Sequence, residues 1–260
     1  MDDPESLYSA IVAEMEGLAN AETAVKNRRW FKNADFNSYG LTTADLKRIT
    51  HSIRKSIQRL SFPDRLILAE KLISSGIQEQ ASFANRVLAL SAGQFDPSHL
   101  PYFDHYLDQV HSWATVDEFC THVLPSLLLS HYQEVLPVLV GWSQAENRWK
   151  RRASAVAFVS KVGSSGKYTS DGLALCERLI WDKDDLVQKA VGWALKSLMR
   201  GAKEPVVEYV KNLRRRGVPS TITLYAIEEL NGEERQEVLK VIPQEKPVAD
   251  KKLFSGSEVK

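Results

Sequence analysis

The sequence predicts an all-α protein, a curved α-solenoid of antiparallel helix pairs of the HEAT or armadillo kind. Three observations lead there. Apolar residues recur at spacings of three and four, and no alternating apolar and polar run bounded by turn residues breaks that pattern. Cap and stop residues cut the chain into segments of roughly ten to eighteen residues joined by about two to six, which makes successive helices antiparallel neighbours. The resulting pairs recur roughly every thirty-five to forty residues, the period of helical repeat arrays.

The elements follow in order. Thr42 or Thr43 opens "ADLKRITHSIRKSI", and Ser61 with Pro63 opens a helix that Gly76 closes. Asp96-Pro97 precedes "SHLPYFDHYLDQV", and Ser112 precedes "WATVDEF". Asn147 caps "RWKRRASAVAFVSKV", which "GSSG" ends. Ser170 caps "DGLALCERLIW", and Asp184 or Asp185 caps "LVQKAVGWALKSLMR" ahead of Gly201. "EPVVEYVKNLRRRG", "PSTITLYAIEEL" and "EERQEVLKVI" complete the array. Residues 1–242 therefore read as one HEAT-like repeat domain. The charged, proline-containing and aperiodic 243–260 reads as a flexible tail.

Composition narrows the function classes. Of 260 residues 43% are hydrophobic and 26% charged, an ordinary globular balance that argues against disorder. The richest apolar stretch, Val123 to Leu129, is too short to span a bilayer, and the acidic start "MDDPESLYSA" lacks the basic opening of an export signal, so a cytoplasmic protein is expected. Cys120 and Cys176 lie in apolar helical surroundings without a CxxC spacing and read as small buried hydrophobes. The histidines show no HExxH pattern. Neither a metal nor a cofactor is expected.

The net charge of +1 conceals an uneven distribution. Lys26, Arg28, Arg29, Lys32, Lys47, Arg48, Arg54, Lys55 and Arg59 face only Asp35 and Asp45 in the same span. Arg148, Lys150, Arg151 and Arg152 form a second cluster, and Lys211, Arg214, Arg215 and Arg216 a third.

Three short stretches could carry chemistry. In "SWATVDEF", Trp113 and Asp117 stand at i and i+4 and share a helix face, although position alone favours packing. In "RWKRRASAVAF", Arg152 is either part of a solvated basic face or held rigidly on the buried stripe, as a phosphate-binding guanidinium should be. In "VQKAVGWALKSL", Gly192 costs about 1 kcal/mol relative to alanine in a helix interior, which points either to a close approach at the backbone or ring of Gly192-Trp193 or to Trp193 simply packing in the core.

Taken together, "WATVD", "WKRRASA" and "KAVGWAL" in this order resemble the AlkD family of DNA alkylation repair proteins, from about residue 5 to residue 242, and "YGLTTADLKRI" is similar to the family's basic N-terminal helix entry. The resemblance implies a HEAT-like monomeric glycosylase acting on duplex DNA that contains alkylated purines, with no metal or cofactor. It implies that Trp113 and Trp193 flank the lesion's deoxyribose, that Asp117 sits beside the glycosidic carbon, and that Arg152 completes the site. It also implies a backbone-holding mode without extrusion of the base into a pocket. Arg28, Arg29, Lys32, Lys47, Arg48, Arg148, Lys150, Arg151 and Lys196 would then contact DNA, with Trp30, Phe31 and Tyr39 either abutting the duplex or forming core. Lys196 replaces an arginine common in the family, which turns a bidentate contact into a point charge. Two other readings stay open: a DNA-structure-binding protein that does not cleave, and a protein-binding scaffold, for which the four site residues would not converge.

Overall fold

The computed structural model describes residues 3–31 and 36–243. Lys32 and the predicted tail beyond Pro243 lie outside the described residues. The helices are α1 (Pro4–Gly17), α2 (Ala21–Phe31), α3 (Thr43–Arg59), α4 (Phe62–Ile73), α5 (Gln78–Ala89), α6 (Leu100–Asp108), α7 (Trp113–Glu118), α8 (Leu124–Ser130) and α9 (Tyr132–Trp142). They continue as α10 (Arg148–Val156), α11 (Ser160–Ser164), α12 (Thr169–Leu179), α13 (Asp185–Gly201), α14 (Lys203–Arg215), α15 (Ser220–Ala226) and α16 (Gly232–Leu239). Among the described residues the sole β-type pairing is an isolated bridge between Asn37 and Ile77. The all-α solenoid expectation holds.

Local chemistry sets the helix starts. The first amides of a helix lack intrahelical acceptors, and side-chain oxygens supply them. Thr42 and Asp45 form a reciprocal capping box on α3. Ser61, Ser112, Asn147 and Asp184 accept from the first turns of α4, α7, α10 and α13, where the sequence puts the caps.

The repeat period can be read in the hydrogen bonds between successive pairs. Tyr102 donates to the Leu66 carbonyl 36 residues away, Trp142 to Asp104 across 38, Arg148 to Asp184 across 36 and Arg216 to Glu177 across 39. Contacts between successive units thus recur at a separation close to the repeat period. A continuous apolar core runs beneath these contacts from Leu7 to Val238. Cys120 and Cys176 are buried within it, and burial pushes the Cys176 thiol up to about 12, so both behave as packing residues.

Three departures from the sequence pattern have physical causes. The helix expected to run through "RWKRRASAVAFVSKV" ends at Val156, because Phe158 and Val159 turn into the core and the chain then passes so close to α13 that a Cβ on Gly163 would meet the Ser197 backbone at 3.1 Å. The segment after Asp117 opens into one π-helical turn, Phe119–Val123, where the Leu124 amide bonds to the Phe119 carbonyl. Pro125 follows directly, and the wider turn relieves its clash with the preceding helix. Finally, α12 starts at Thr169 without a side-chain cap, so Ser170 is inside it rather than its cap.

Candidate active site

Three helices, α7, α10 and α13, bring the four predicted catalytic residues together. On α7 the Ser112 hydroxyl accepts from the Thr115 amide (3.2 Å) and donates to Gln78 Oε1 of α5 (2.6 Å), which fixes where Trp113 and Asp117 begin their shared face. On α10 Asn147 accepts from the Trp149 amide (2.8 Å) and sets the phase of the helix, so that Arg152 turns inward. Arg152 Nε and Nη2 then donate to Asp117 Oδ1 and Oδ2 at 2.8 and 2.7 Å, a bidentate pair with side chains only 6% and 14% exposed. The remaining guanidinium nitrogen, Nη1, donates to the Leu186 carbonyl in the first turn of α13. One arginine therefore ties together α7, α10 and α13. A planar fork suits this and an ammonium would not.

On α13, Gly192 explains itself. A Cβ there would lie 2.6 Å from Tyr225 Cβ and 2.8 Å from the Ile222 carbonyl, so α15 packs directly against the glycine backbone. The close approach expected from the sequence is that of α15. Its consequence is that Tyr225 joins Trp193 in lining the same opening.

That opening is a cleft of ≈ 750 Å³ lined by Trp113, Asp117, Arg152 and Trp193. Trp149, Arg148, Lys189 and Tyr225 extend its wall on the α10, α13 and α15 side. Trp30, Phe31 and Phe36 close the other side. Phe31 stacks on Phe36 with centroids 4.1 Å apart and leans on Trp113 at 5.2 Å. Trp30 is 74% exposed at the rim, while Tyr39 packs against the core and takes a hydrogen bond with Gln80 instead. The aromatic group around Phe31 thus divides between cleft and core.

Electrostatics in the cleft centre on Asp117. Burial raises its carboxyl above the ordinary value of 3.8, and the Arg152 charge and hydrogen bonds oppose that rise. Both oxygens accept N–H donors from Arg152, which favours the ionised form against burial, and each retains a further lone pair for a water or a developing cation.

The basic residues divide. Arg148 lines the cleft, lies 4.5 Å over the Trp149 ring and pairs with Asp184 at 3.1 Å. Lys150, expected at DNA, is instead turned to α6, where its ammonium sits 2.9 Å from both Asp104 and Asp108. Arg151 is likewise taken up, by Asp182 at 2.6 Å and by the Ala145 and Glu146 carbonyls. The cause is helical phase, since residues one and two before Arg152 project from other sides of α10. Lys196 lies outside the cleft lining, bridges to Glu228 at 2.7 Å and covers the Tyr225 ring at 4.6 Å. Arg28, Arg29, Lys47 and Arg48 are exposed on α2 and α3, with Arg28 also donating to the Phe36 carbonyl. In the third cluster Lys211, Arg215 and Arg216 pair with Glu237, Glu208 and Glu177.

Sequence reasoning missed Tyr225 and Lys189. Gly192 was the available signal for Tyr225, because a mid-helix glycine announces a neighbour without naming it.

The family model of the DNA alkylation repair enzymes matches residues 11–230. The chain belongs to that family. A solved structure described as a predicted DNA alkylation repair enzyme from Enterococcus faecalis is similar over 82% of this chain and 97% of its own, with a TM-score of 0.69 and 19% identity. The Pseudomonas fluorescens alkylpurine DNA glycosylase AlkC, solved with DNA containing an abasic site analog, is similar over 90% of this chain and 66% of its own, with a TM-score of 0.50 and 17% identity. At those identities the two structures share the fold. No curated protein matches the chain.

Proposed function

We propose that this member of the DNA alkylation repair family is a monofunctional DNA glycosylase that hydrolyses the N-glycosidic bond of cationic N3-alkyladenine and N7-alkylguanine in duplex DNA. The observation that carries the reading is the convergence of Trp113, Asp117, Arg152 and Trp193 on one cleft, with the carboxyl gripped in a bidentate pair by a buried guanidinium. The protein-binding scaffold reading predicts that these four residues do not converge, so their convergence favours the enzyme.

The chemistry needs little more. An alkylated purine already carries positive charge and leaves as a neutral base when the C1′–N bond breaks and the bonding pair goes to the purine. Positive charge develops on the sugar, as in other glycosyl transfers. Asp117 faces that charge, and the indoles of Trp113 and Trp193 add cation–π attraction on the order of 1–2 kcal/mol in a desolvated site. Water adds to C1′ and loses its proton to Asp117, leaving an abasic site. The resemblance implies no lysine nucleophile, and Lys189, the lysine on the cleft wall, is paired with Asp185 at 2.6 Å, so no strand cleavage is expected. Arg152 acts mainly through Asp117, whose position it fixes. The base stays outside a closed pocket, in keeping with the resemblance in "WATVD", "WKRRASA" and "KAVGWAL".

Arg148, with Arg28, Arg29, Lys47 and Arg48, supplies sequence-independent phosphate contacts in this reading, as Lys32 would. Lys150, Arg151 and Lys196 serve the fold instead. The test is mass-spectrometric identification of bases released from methylated duplex DNA. Release of 3-methyladenine or 7-methylguanine with an intact, alkali-labile strand supports the reading. Binding without release of any base refutes it in favour of a non-cleaving DNA-structure-binding protein.

A further inference from the structure

The first turn of α5 touches both sides of the cleft without lining it. Glu79 is 3% exposed, yet its carboxylate has no cationic partner within ion-pair distance among the described residues. It accepts four short hydrogen bonds from one loop. Ser38 Oγ donates at 2.6 Å, the Tyr39 and Gly40 amides at 2.9 Å each, and the Leu41 amide at 3.1 Å. Three successive backbone N–H groups thus converge on one carboxylate, an arrangement in which charge-assisted bonds are strong and an unpaired donor would be costly.

That loop holds α2. Gly40, at φ +78°, lies so close to the start of α2 that a Cβ would fall 2.2 Å from the Asn20 carbonyl oxygen. The Asn20 amide donates to the Tyr39 carbonyl at 2.8 Å, and Asn27 of α2 donates to Ser38 Oγ at 3.1 Å. None of the residues of α2 is buried, so apart from Phe31 at its end the helix has little apolar hold of its own. It nevertheless carries Phe31, the ring that leans on Trp113. Meanwhile Gln78, next to Glu79, holds the N-cap of α7 through Ser112. Adjacent residues of one helical turn therefore set the two halves of the Phe31–Trp113 contact.

We infer that Glu79 is a positioning residue of the site: by gathering the 38–41 loop it seats α2, and with it Phe31, against Trp113. It touches no substrate. The inference rests on the proposed reaction for its consequence in excision, while its structural half stands on the free protein alone.

Amide hydrogen exchange on the DNA-free full chain tests that half. In Glu79→Gln one acceptor oxygen is replaced by a donor facing other donors, and exchange in 21–31 and 36–41 should accelerate at least tenfold while α13 keeps its protection. Ser38→Ala, which removes one of the four bonds, should give a smaller acceleration in the same segments. Unchanged exchange in both variants, or equal loosening of α13, overturns the inference. The functional half is read from single-turnover excision at saturating methylated DNA. Glu79→Gln should lower the rate about tenfold, and Glu79→Gln with Phe31→Ala should be no slower than Phe31→Ala alone. Effects that multiply overturn the assignment of Glu79 to Phe31. Were wild type to release no base, the proposed reaction would fail, and hydrogen exchange would still decide the role of Glu79.

Discussion

On α10 the guanidinium of Arg152 reaches Asp117 in the cleft, whereas the ammonium of Lys150, two residues earlier, reaches Asp104 and Asp108 of α6. The two residues belong to one basic run, and the helix sends them to opposite duties. The cleft side of α10 concentrates a single charge pair in a nearly dry setting. The far side spreads its charges over ion pairs whose acids are about half exposed, where water screens them. A basic run on a helix is therefore not a basic face. Its members have to be phased before they are given to a ligand.

The largest effect that sharpens this contrast is expected at Arg152. Replacing it in Arg152→Ala leaves Asp117 buried without its partner and frees the Leu186 carbonyl, which should cost about 3–5 kcal/mol of stability as well as excision. Chemical denaturation of wild type and variant measures it. A loss no larger than that of Lys150→Ala, expected to be the smaller because Asp104 and Asp108 are about half exposed and stay solvated without their partner, would erase the distinction between the two sides.

Next comes Gly192→Ala. The new methyl would collide with Tyr225 Cβ and the Ile222 carbonyl, so α15 must move from α13. Overpacking of this kind costs about 1–3 kcal/mol, and excision should fall several-fold because Trp193 and Tyr225 shift together. Unaltered melting and rate would show that the approach of α15 does not shape the cleft.

The pH profile follows with a definite sign. The folded carboxyl of Asp117 is raised, so its contribution to stability is present below the ordinary aspartate value and is lost as pH rises through the raised one. Activity runs the other way. The reaction uses the ionised form, so excision should decline on acidification with a midpoint above the ordinary 3.8. A rate that stays flat down to that value would remove Asp117 from the chemistry.

The smallest effects are expected in DNA affinity. Lys47→Ala should weaken binding uniformly and lower the slope of log affinity against log salt by about 1, whereas Lys150→Ala should leave the slope unchanged. Equal slopes for the two variants would return Lys150 to the DNA contacts.

How much of this could be read from the chain depends on which signals are local. Caps and apolar spacing depend on a few neighbouring residues, so the starts of α3, α4, α7, α10 and α13 were legible at Thr42, Ser61, Ser112, Asn147 and Asp184. The break after Val156 was not, because it is imposed by packing of Phe158 and Gly163 against distant helices. The quartet Trp113, Asp117, Arg152 and Trp193 was legible as an ordered set of motifs but not as a geometry. Glu79 and Tyr225 gave no motif at all, since their importance lies in partners roughly thirty to forty residues away, the repeat period itself.

The most direct test compares wild type and Asp117→Asn in single-turnover release of 7-methylguanine from duplex DNA at saturating protein, with affinity measured in parallel. This substitution keeps the size of the side chain and removes its charge. A fall in rate of about a hundredfold or more, with affinity retained within a few-fold, is the predicted result. Undiminished release by the variant would contradict the account at its centre.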